Sequence, residues 1–179
     1  MSGDYKLTKT QVPKYDTDTW RTPISLYANF NKEFDFKLDA ACDSFNCLAP
    51  SGLMIDFGTN SLTLDWKSCL DYASDWIWLN PPFRSVKLWV KKAAESDCNV
   101  VCLVQADTGT IWWHRYAVLA YEIRFYEGRT RFDPPAGRIV GVNGSASPTK
   151  PTAALVFCPE KRVFLSDPIT RYISRERNK

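Results

Sequence analysis

No stretch of this 179-residue chain approaches the ~20 consecutive apolar residues that a membrane-crossing helix needs. The opening segment, MSGDYKLTKTQVPKYD, lacks a basic start followed by an apolar run and lacks a cleavage site. A soluble, cytoplasmic protein with no membrane partner is therefore expected. Histidine is almost absent, with His114 alone, and paired CxxC spacing is missing. Cys42-x4-Cys47 and Cys98-x3-Cys102 do not follow the spacing of zinc sites, so no metal is expected. Nothing points to export, which disfavours a disulfide framework, and the six cysteines read as buried, reduced thiols. Internal repeats and long low-complexity segments are also absent. The formal net charge of +3 is too small to name a partner by itself.

What is present suits one self-contained domain. A hydrophobic content of 45% over 179 residues allows a substantial core. Residues 1–17 are polar and read as a flexible extension, 18–165 as a single domain, and 166–179 as a basic tail. After Trp20-Arg21-Thr22-Pro23, the spacing of Leu26, Tyr27 and Phe30 predicts a helix over 24–34, with Pro23 suited to its first turn. Residues 36–41 read as a short strand and 75–79 as a buried strand. Ser85 is expected to cap a helix over 86–95 with Leu88 and Trp89 on one side, before a second buried strand over 99–104. Strand, helix and strand with short links make a parallel crossover unit, so the class is α/β. Ligands of such sheets bind beyond the carboxyl ends of the strands, where Asp39 and Asn80 both fall. Helical periodicity continues over 110–121 and a strand is expected over 122–126. The Gly-, Pro- and Ser-rich stretch 128–150 is long enough for a structureless loop to imply a task. Strands over 152–158 and 162–165 are expected to pair antiparallel around Pro159-Glu160-Lys161.

The most informative string is Asn80-Pro81-Pro82-Phe83, directly after Trp76-Ile77-Trp78-Leu79. An amino group conjugated to an aromatic ring is a poor nucleophile because its lone pair is drawn into the ring. An Asn side-chain oxygen and the first proline's carbonyl can each accept one amino hydrogen. Together they pull the nitrogen toward tetrahedral geometry and free the lone pair. Prolines stiffen the loop and Phe83 can stack on the target ring. The competing reading is that two prolines merely end a buried strand.

Basic residues are clustered. Between Glu160 and Lys179 six of them (Lys161, Arg162, Arg171, Arg175, Arg177, Lys179) face three acids (Glu160, Asp167, Glu176), and Arg124, Arg129, Arg131 and Arg138 surround the Gly/Pro-rich segment. Such clusters suit phosphate contacts or simple solvated faces. Trp89, Trp112 and Trp113 suit core packing or base platforms, and His114 reads as structural or exposed.

Taken in order, Trp20-Arg-Thr-Pro, Leu38-Asp-Ala-Ala with Asn46 downstream, Asp65-Trp66, Asn80-Pro-Pro-Phe, Ala106-Asp-Thr-Gly-Thr with Trp112-Trp113, Gly128-Arg-x-x-Phe132 and Pro151-Thr-Ala-Ala-Leu-Val-Phe157 resemble the phage-type DNA adenine N-6 methyltransferase (Dam-type) family. The resemblance covers roughly residues 18–158. It implies a Rossmann-like S-adenosylmethionine-dependent methyltransferase fold, with a mostly parallel central sheet and an antiparallel C-terminal strand pair. It also implies methyl transfer from S-adenosylmethionine to adenine N-6 in double-stranded DNA, with GATC as the expected site and host cytoplasm as the location if the gene is a phage's. Asn80, Pro81, Pro82 and Phe83 match the catalytic loop. Trp20, Thr22 and Pro23 match a segment that lies against the cofactor's methionine part. Asp39 and Ala40 match the cofactor loop, and Asp65 is a candidate for the cofactor's adenine amino group. Arg84, Lys87, Arg129, Arg131 and Arg138 are the candidates for DNA contact. One departure is plain: where the wider superfamily has a glycine-rich cofactor loop, residues 39–46 read DAACDSFN, with Ala40 and Ala41 in the sterically small positions.

Three rival activities use parts of the same chemistry: cytosine N-4 methylation, methylation of a protein glutamine amide, and a DNA-binding module without catalysis. An intact Asn80 speaks against the last. A monomer and a dimer both fit the sequence.

Overall fold

The computed structural model describes residues 20–54, 58–133, 151–163 and 165–174. The 1–17 extension, Arg138, most of the 128–150 stretch and the end of the basic tail lie outside the described residues. Seven strands form one sheet in the order β2-β1-β3-β4-β6-β5-β7. Strands β1 (Phe36–Cys42), β2 (Ser51–Met54), β3 (Trp76–Leu79), β4 (Asn99–Gln105), β5 (Glu122–Tyr126) and β7 (Ile169–Ile173) run in one direction. Only β6 (Thr152–Phe157) is reversed, between β4 and β5.

Side-chain alternation along the strands builds a core on each face of the sheet. Ile77 and Leu79 of β3, Val100, Cys102 and Val104 of β4, and Leu155 of β6 point to one face. There they meet Trp89, Val90 and Ala93 of helix α2 (Val86–Glu95) and Trp112 and Trp113 of helix α3 (Ile111–Arg115). Trp78, Val101, Leu103, Ala154 and Val156 point to the other face, against Tyr27, Phe30 and Phe34 of helix α1 (Ile24–Phe34). Helix α1 begins where the Leu26 and Tyr27 amides donate to the Pro23 carbonyl at 3.0 and 3.1 Å. It ends at Asp35, whose φ of 51° turns the chain back, and the Asn31 side chain accepts the Phe36 amide at 2.9 Å to lead into β1. Among the described residues no helix is long and apolar enough to cross a membrane.

Several expected details differ. The described residues of 162–165 are not a strand: helix α4 (Pro159–Arg162) starts on Pro159, Val163 is in a turn, and the Arg162 guanidinium donates to the carbonyls of Leu119, Leu165 and Ser166. The antiparallel partners of β6 are therefore β4 and β5. The tail is not separate from the domain either, because β7 within it pairs in parallel with β5. Its Ile-Thr-Arg-Tyr-Ile alternation was hidden by the surrounding charge. Leu88 is 53% exposed while Trp89 is buried, since neighbouring helical positions diverge by about 100°. Ser85 occupies the position before α2 without a capping bond; its hydroxyl turns to the Pro82 carbonyl and accepts from Trp89 Nε1 at 3.2 Å. The helical stretch over 110–121 breaks into α3 and a 3-10 turn at Ala117–Leu119. All six cysteines are free thiols, with Cys42, Cys98, Cys102 and Cys158 buried, Cys47 half-buried and Cys69 exposed.

The far edge is held by charge. Arg124 makes two 2.6 Å bonds to Glu33 of α1 and one of 2.7 Å to Glu122, and Arg171 of β7 reaches Glu122 at 2.7 Å. Glu122 is 4% exposed, so its charge depends on these partners. Arg124→Met is expected to destabilise the fold by about 2–3 kcal/mol in urea unfolding, because it leaves a buried carboxylate with Arg171 alone.

Candidate active site

The sheet reverses its winding at β1, which has β2 on one side and β3 on the other, so a crevice is expected beyond the ends of β1 and β3. A cleft of about 120 Å³ is found there, and its walls include Arg21, Thr22, Asp39, Phe45, Trp78 and Asn80. That volume is below the ~300–1,000 Å³ of common ligand pockets, so the cleft encloses only part of a ligand. Ile24 and Phe45, 65% and 76% exposed, form apolar lips for the remainder. One wall is fastened by paired backbone bonds of 2.9 Å between Arg21 and Asp133. The loop between β1 and β2 is shaped by its own polar groups: Asn46 Oδ1 accepts the Asp43 amide at 2.6 Å and Asp43 Oδ1 accepts the Phe45 amide at 2.8 Å.

Asp39 is the electrostatic centre of this cleft. It is 2% exposed, and its carboxylate accepts the amides of Ala41 at 3.3 Å and Leu48 at 3.1 Å. Burial pushes its carboxyl up to about 7; the two amides oppose that rise and the nearby Asp43 charge adds to it.

Asn80 lies where β3 ends, and its Oδ1 is buried without a hydrogen-bond partner among the described residues. A buried, unpaired acceptor is costly, and a site that positions one is poised to receive a donor from a ligand. The loop that follows is braced from beneath: the Ser85 amide donates to the Pro82 carbonyl at 3.1 Å and Trp89 supports Ser85. Phe83 meets Phe132 edge to face at 5.5 Å, so Asn80-Pro-Pro-Phe and Gly128-Arg-x-x-Phe132 touch in space. Gly128 itself has φ of 75°, a conformation that explains the glycine.

Of the predicted cofactor residues, Thr22 and Asp39 line the cleft with Asn80. Ala40 does not: it faces the α2 core, and strand alternation puts Ala41 in the cleft instead. Trp20 packs against the α1-side core. Asp65 is exposed and caps the 3-10 turn Trp66–Cys69 by accepting the Lys67 amide, away from the cleft-lining set. Arg84 and Lys87 line a second depression of about 360 Å³ with Phe83, Gln105, Asp107 and Trp112. Arg129 and Arg131 line a third, of about 470 Å³, beside Pro23 and Asn29. Trp112 and Trp113 belong to the core, and His114 is exposed. Sequence reasoning missed Arg21 and Phe45, and their contribution comes from the Arg21–Asp133 bridge and the turn at 43–46.

The model of the family described as DNA N-6-adenine-methyltransferase (Dam) matches residues 9–176. A protein named DNA N-6-adenine-methyltransferase from Haemophilus phage HP1 (strain HP1c1) is 26% identical over 121 residues, covering 65% of this chain and 66% of that one. One of the same name from Escherichia phage T1 is 29% identical over 122 residues, covering 66% of this chain and 48% of that one. The matched stretch thus spans just under two thirds of the first relative and about half of the second. No solved structure matches the chain.

The raised carboxyl of Asp39 makes stability depend on pH. The folded state holds its proton up to about pH 7, whereas the unfolded chain releases it near 3.8. The stabilisation is complete below the unfolded value and is lost as pH rises through the folded one. Relative to Asp39→Asn, the wild-type melting temperature is expected to fall between about pH 4 and 7 and then level off. Parallel melting curves for the two proteins across that range would contradict this assignment.

Proposed function

From the premise that the chain belongs to the DNA N-6-adenine-methyltransferase (Dam) family, we propose that it transfers a methyl group from S-adenosylmethionine to the N-6 amino group of adenine in double-stranded DNA. The observation that carries this reading is the buried Oδ1 of Asn80, which has no hydrogen-bond partner among the described residues and stands at the edge of a cleft lined by Asp39. An exocyclic amino group supplies the missing donor. With one amino hydrogen on Asn80 Oδ1 and the other on the Pro81 carbonyl, the nitrogen is drawn out of conjugation and its lone pair becomes available. Phe83, held edge-on by Phe132, offers its face to the base. No dedicated base is required: the methylated ammonium is acidic and gives up its proton along the Asn80 and Pro81 oxygens to water.

The cleft fits the proposed cofactor. Asp39 is a buried acid whose one charged influence, Asp43, is repulsive, so a ligand ammonium or ribose hydroxyl answers its need for a partner. Thr22 adds a hydroxyl, and the apolar lips Ile24 and Phe45 suit a flat ring. S-adenosylmethionine, when bound, supplies an electrophilic methyl group. The crevice between β1 and β3, with Asp39 on β1 opposite Trp78 and Asn80 just past the end of β3, supports a Rossmann-like S-adenosylmethionine-dependent methyltransferase fold.

Because an adenine inside a duplex is out of reach, the base is flipped into the site. Arg84 and Lys87 on one side of the catalytic loop and Arg129 and Arg131 on the other are placed to hold the backbone, and GATC is the expected short site. Purified protein incubated with labelled S-adenosylmethionine and DNA is expected to yield N-6-methyladenine on digestion. Asn80→Ala is expected to lower turnover by about 10²–10³-fold while DNA binding survives. Label recovered in N-4-methylcytosine or in a protein glutamine, or cofactor binding without N-6-methyladenine, would overturn the reading.

A further inference from the structure

Cys42 closes β1, and Cys47 follows the turn at 44–46. Their spacing resembles no zinc motif, but the fold adds a third group: one oxygen of Asp39 and the sulfurs of Cys42 and Cys47 all lie within 4.8 Å of one another. Asp39 and Cys42 are each 2% exposed, and Cys47 is half-buried. We propose that Asp39, Cys42 and Cys47 form a binding site for one thiophilic divalent cation of the zinc class, which competes with the cofactor for Asp39.

The groups are arranged as ligands rather than merely crowded. Opposite them on β2 stands Gly52, where a Cβ would lie 2.1 Å from the Cys47 sulfur and 2.5 Å from the Cys42 sulfur. Glycine there makes room for two sulfurs to converge. The Asp39 carboxylate is oriented from behind by the Ala41 and Leu48 amides, and each oxygen keeps a lone pair for a further partner. Such outer-shell bonds are what fix a metal-binding carboxylate. The thiols have only weak contacts to give up: a hydrogen bond between Cys42 and Cys47 themselves, Cys42 to the Asp39 carbonyl at 3.8 Å and Cys47 to the Ala49 carbonyl at 3.7 Å. Tetrahedral zinc with bonds of ~2.0–2.3 Å places its ligand atoms roughly 3.5–3.8 Å apart, a contraction of about 1.3 Å at most from this arrangement. Two thiolates and a carboxylate also match the preference of zinc over magnesium or calcium.

On binding, both S–H bonds break, two metal–sulfur bonds and one metal–oxygen bond form, and two thiol protons pass to solvent, joined below about pH 7 by the proton of the Asp39 carboxyl. Burial pushes both thiols above their usual range, so affinity rises with pH. The competition rests on the functional reading given above, in which Asp39 serves the cofactor; the cation site does not.

The test uses the full chain, reduced with a phosphine and titrated with Co²⁺ alone. One equivalent is expected to produce a thiolate-to-cobalt charge-transfer band, which Zn²⁺ erases. Cys47→Ser, whose folding is checked by its melting curve, is expected to weaken Co²⁺ binding by tenfold or more. Cys69→Ser, at an exposed thiol outside the cluster, leaves it unchanged. No band with wild type, or a band that Cys47→Ser leaves intact, overturns the site. S-adenosylmethionine binding is measured separately by calorimetry on metal-free protein, which tests the functional reading by itself. If it binds there, it is expected to lower the apparent Co²⁺ affinity, and a cobalt titration indifferent to saturating S-adenosylmethionine overturns the competition.

Discussion

The packing of Trp78 is the constraint on which the site depends. This side chain is fully buried two residues before Asn80, and it lies 5.4 Å from Tyr27, 5.6 Å from Phe30 and 5.3 Å from Phe36. Aromatic contacts of this kind contribute about 0.5–1.5 kcal/mol each beyond the area they bury. Their geometric effect matters more. They fix helix α1 against β1 and β3, so that the segment entering α1, Arg21-Thr22, passes over the ends of both strands. Two residues on α1, one on β1 and one on β3 thereby control which side chains share the cleft.

Electrostatics then divides the molecule into two regimes. At the β5–β7 edge, Glu122 is buried with two guanidinium partners, and its charge is satisfied within the fold. On β1, Asp39 is buried with the Ala41 and Leu48 amides as its donors among the described residues, and Asp43 nearby repels it. A buried acid with counter-charges serves structure; a buried acid without them is held by the protein at a cost and is available to a ligand. The unpaired Asn80 oxygen belongs to the same economy of incomplete bonding, and both groups open on one cleft.

Local patterns carried much of this into the sequence. The helix over 24–34, the strand leading to Asn80, the crossover to β4 and the placement of Asp39 with Asn80 all follow from periodicity and from proline positions, because each is determined by neighbours in the chain. What was not legible depends on distant partners. Helix α4 gives way to no strand after Arg162 because that side chain finds the carbonyls of Leu119 and Val118, 43 and 44 residues away. Strand β7 exists because β5 offers it an edge. Ala40 and Ala41 are chemically alike, and only the pleat decides which of them faces the cleft. The convergence of Cys42 and Cys47 needed Gly52 from another strand. Asp65 shows the converse case, a motif residue whose side chain is spent on a local cap.

The reversed strand has a consequence for how the protein is made. Strand β6 lies between β4 and β5, yet it is encoded after both, at residues 152–157. As the chain leaves the ribosome, β4 and β5 emerge first with nothing to join them, each presenting an open edge. The sheet becomes continuous only when β6 is threaded between them, and β7 can then complete the far side. The active cleft, although lined by residues 21–80 and Asp133, therefore rests during synthesis on half a sheet, and its final rigidity arrives with a segment more than seventy residues downstream of Asn80.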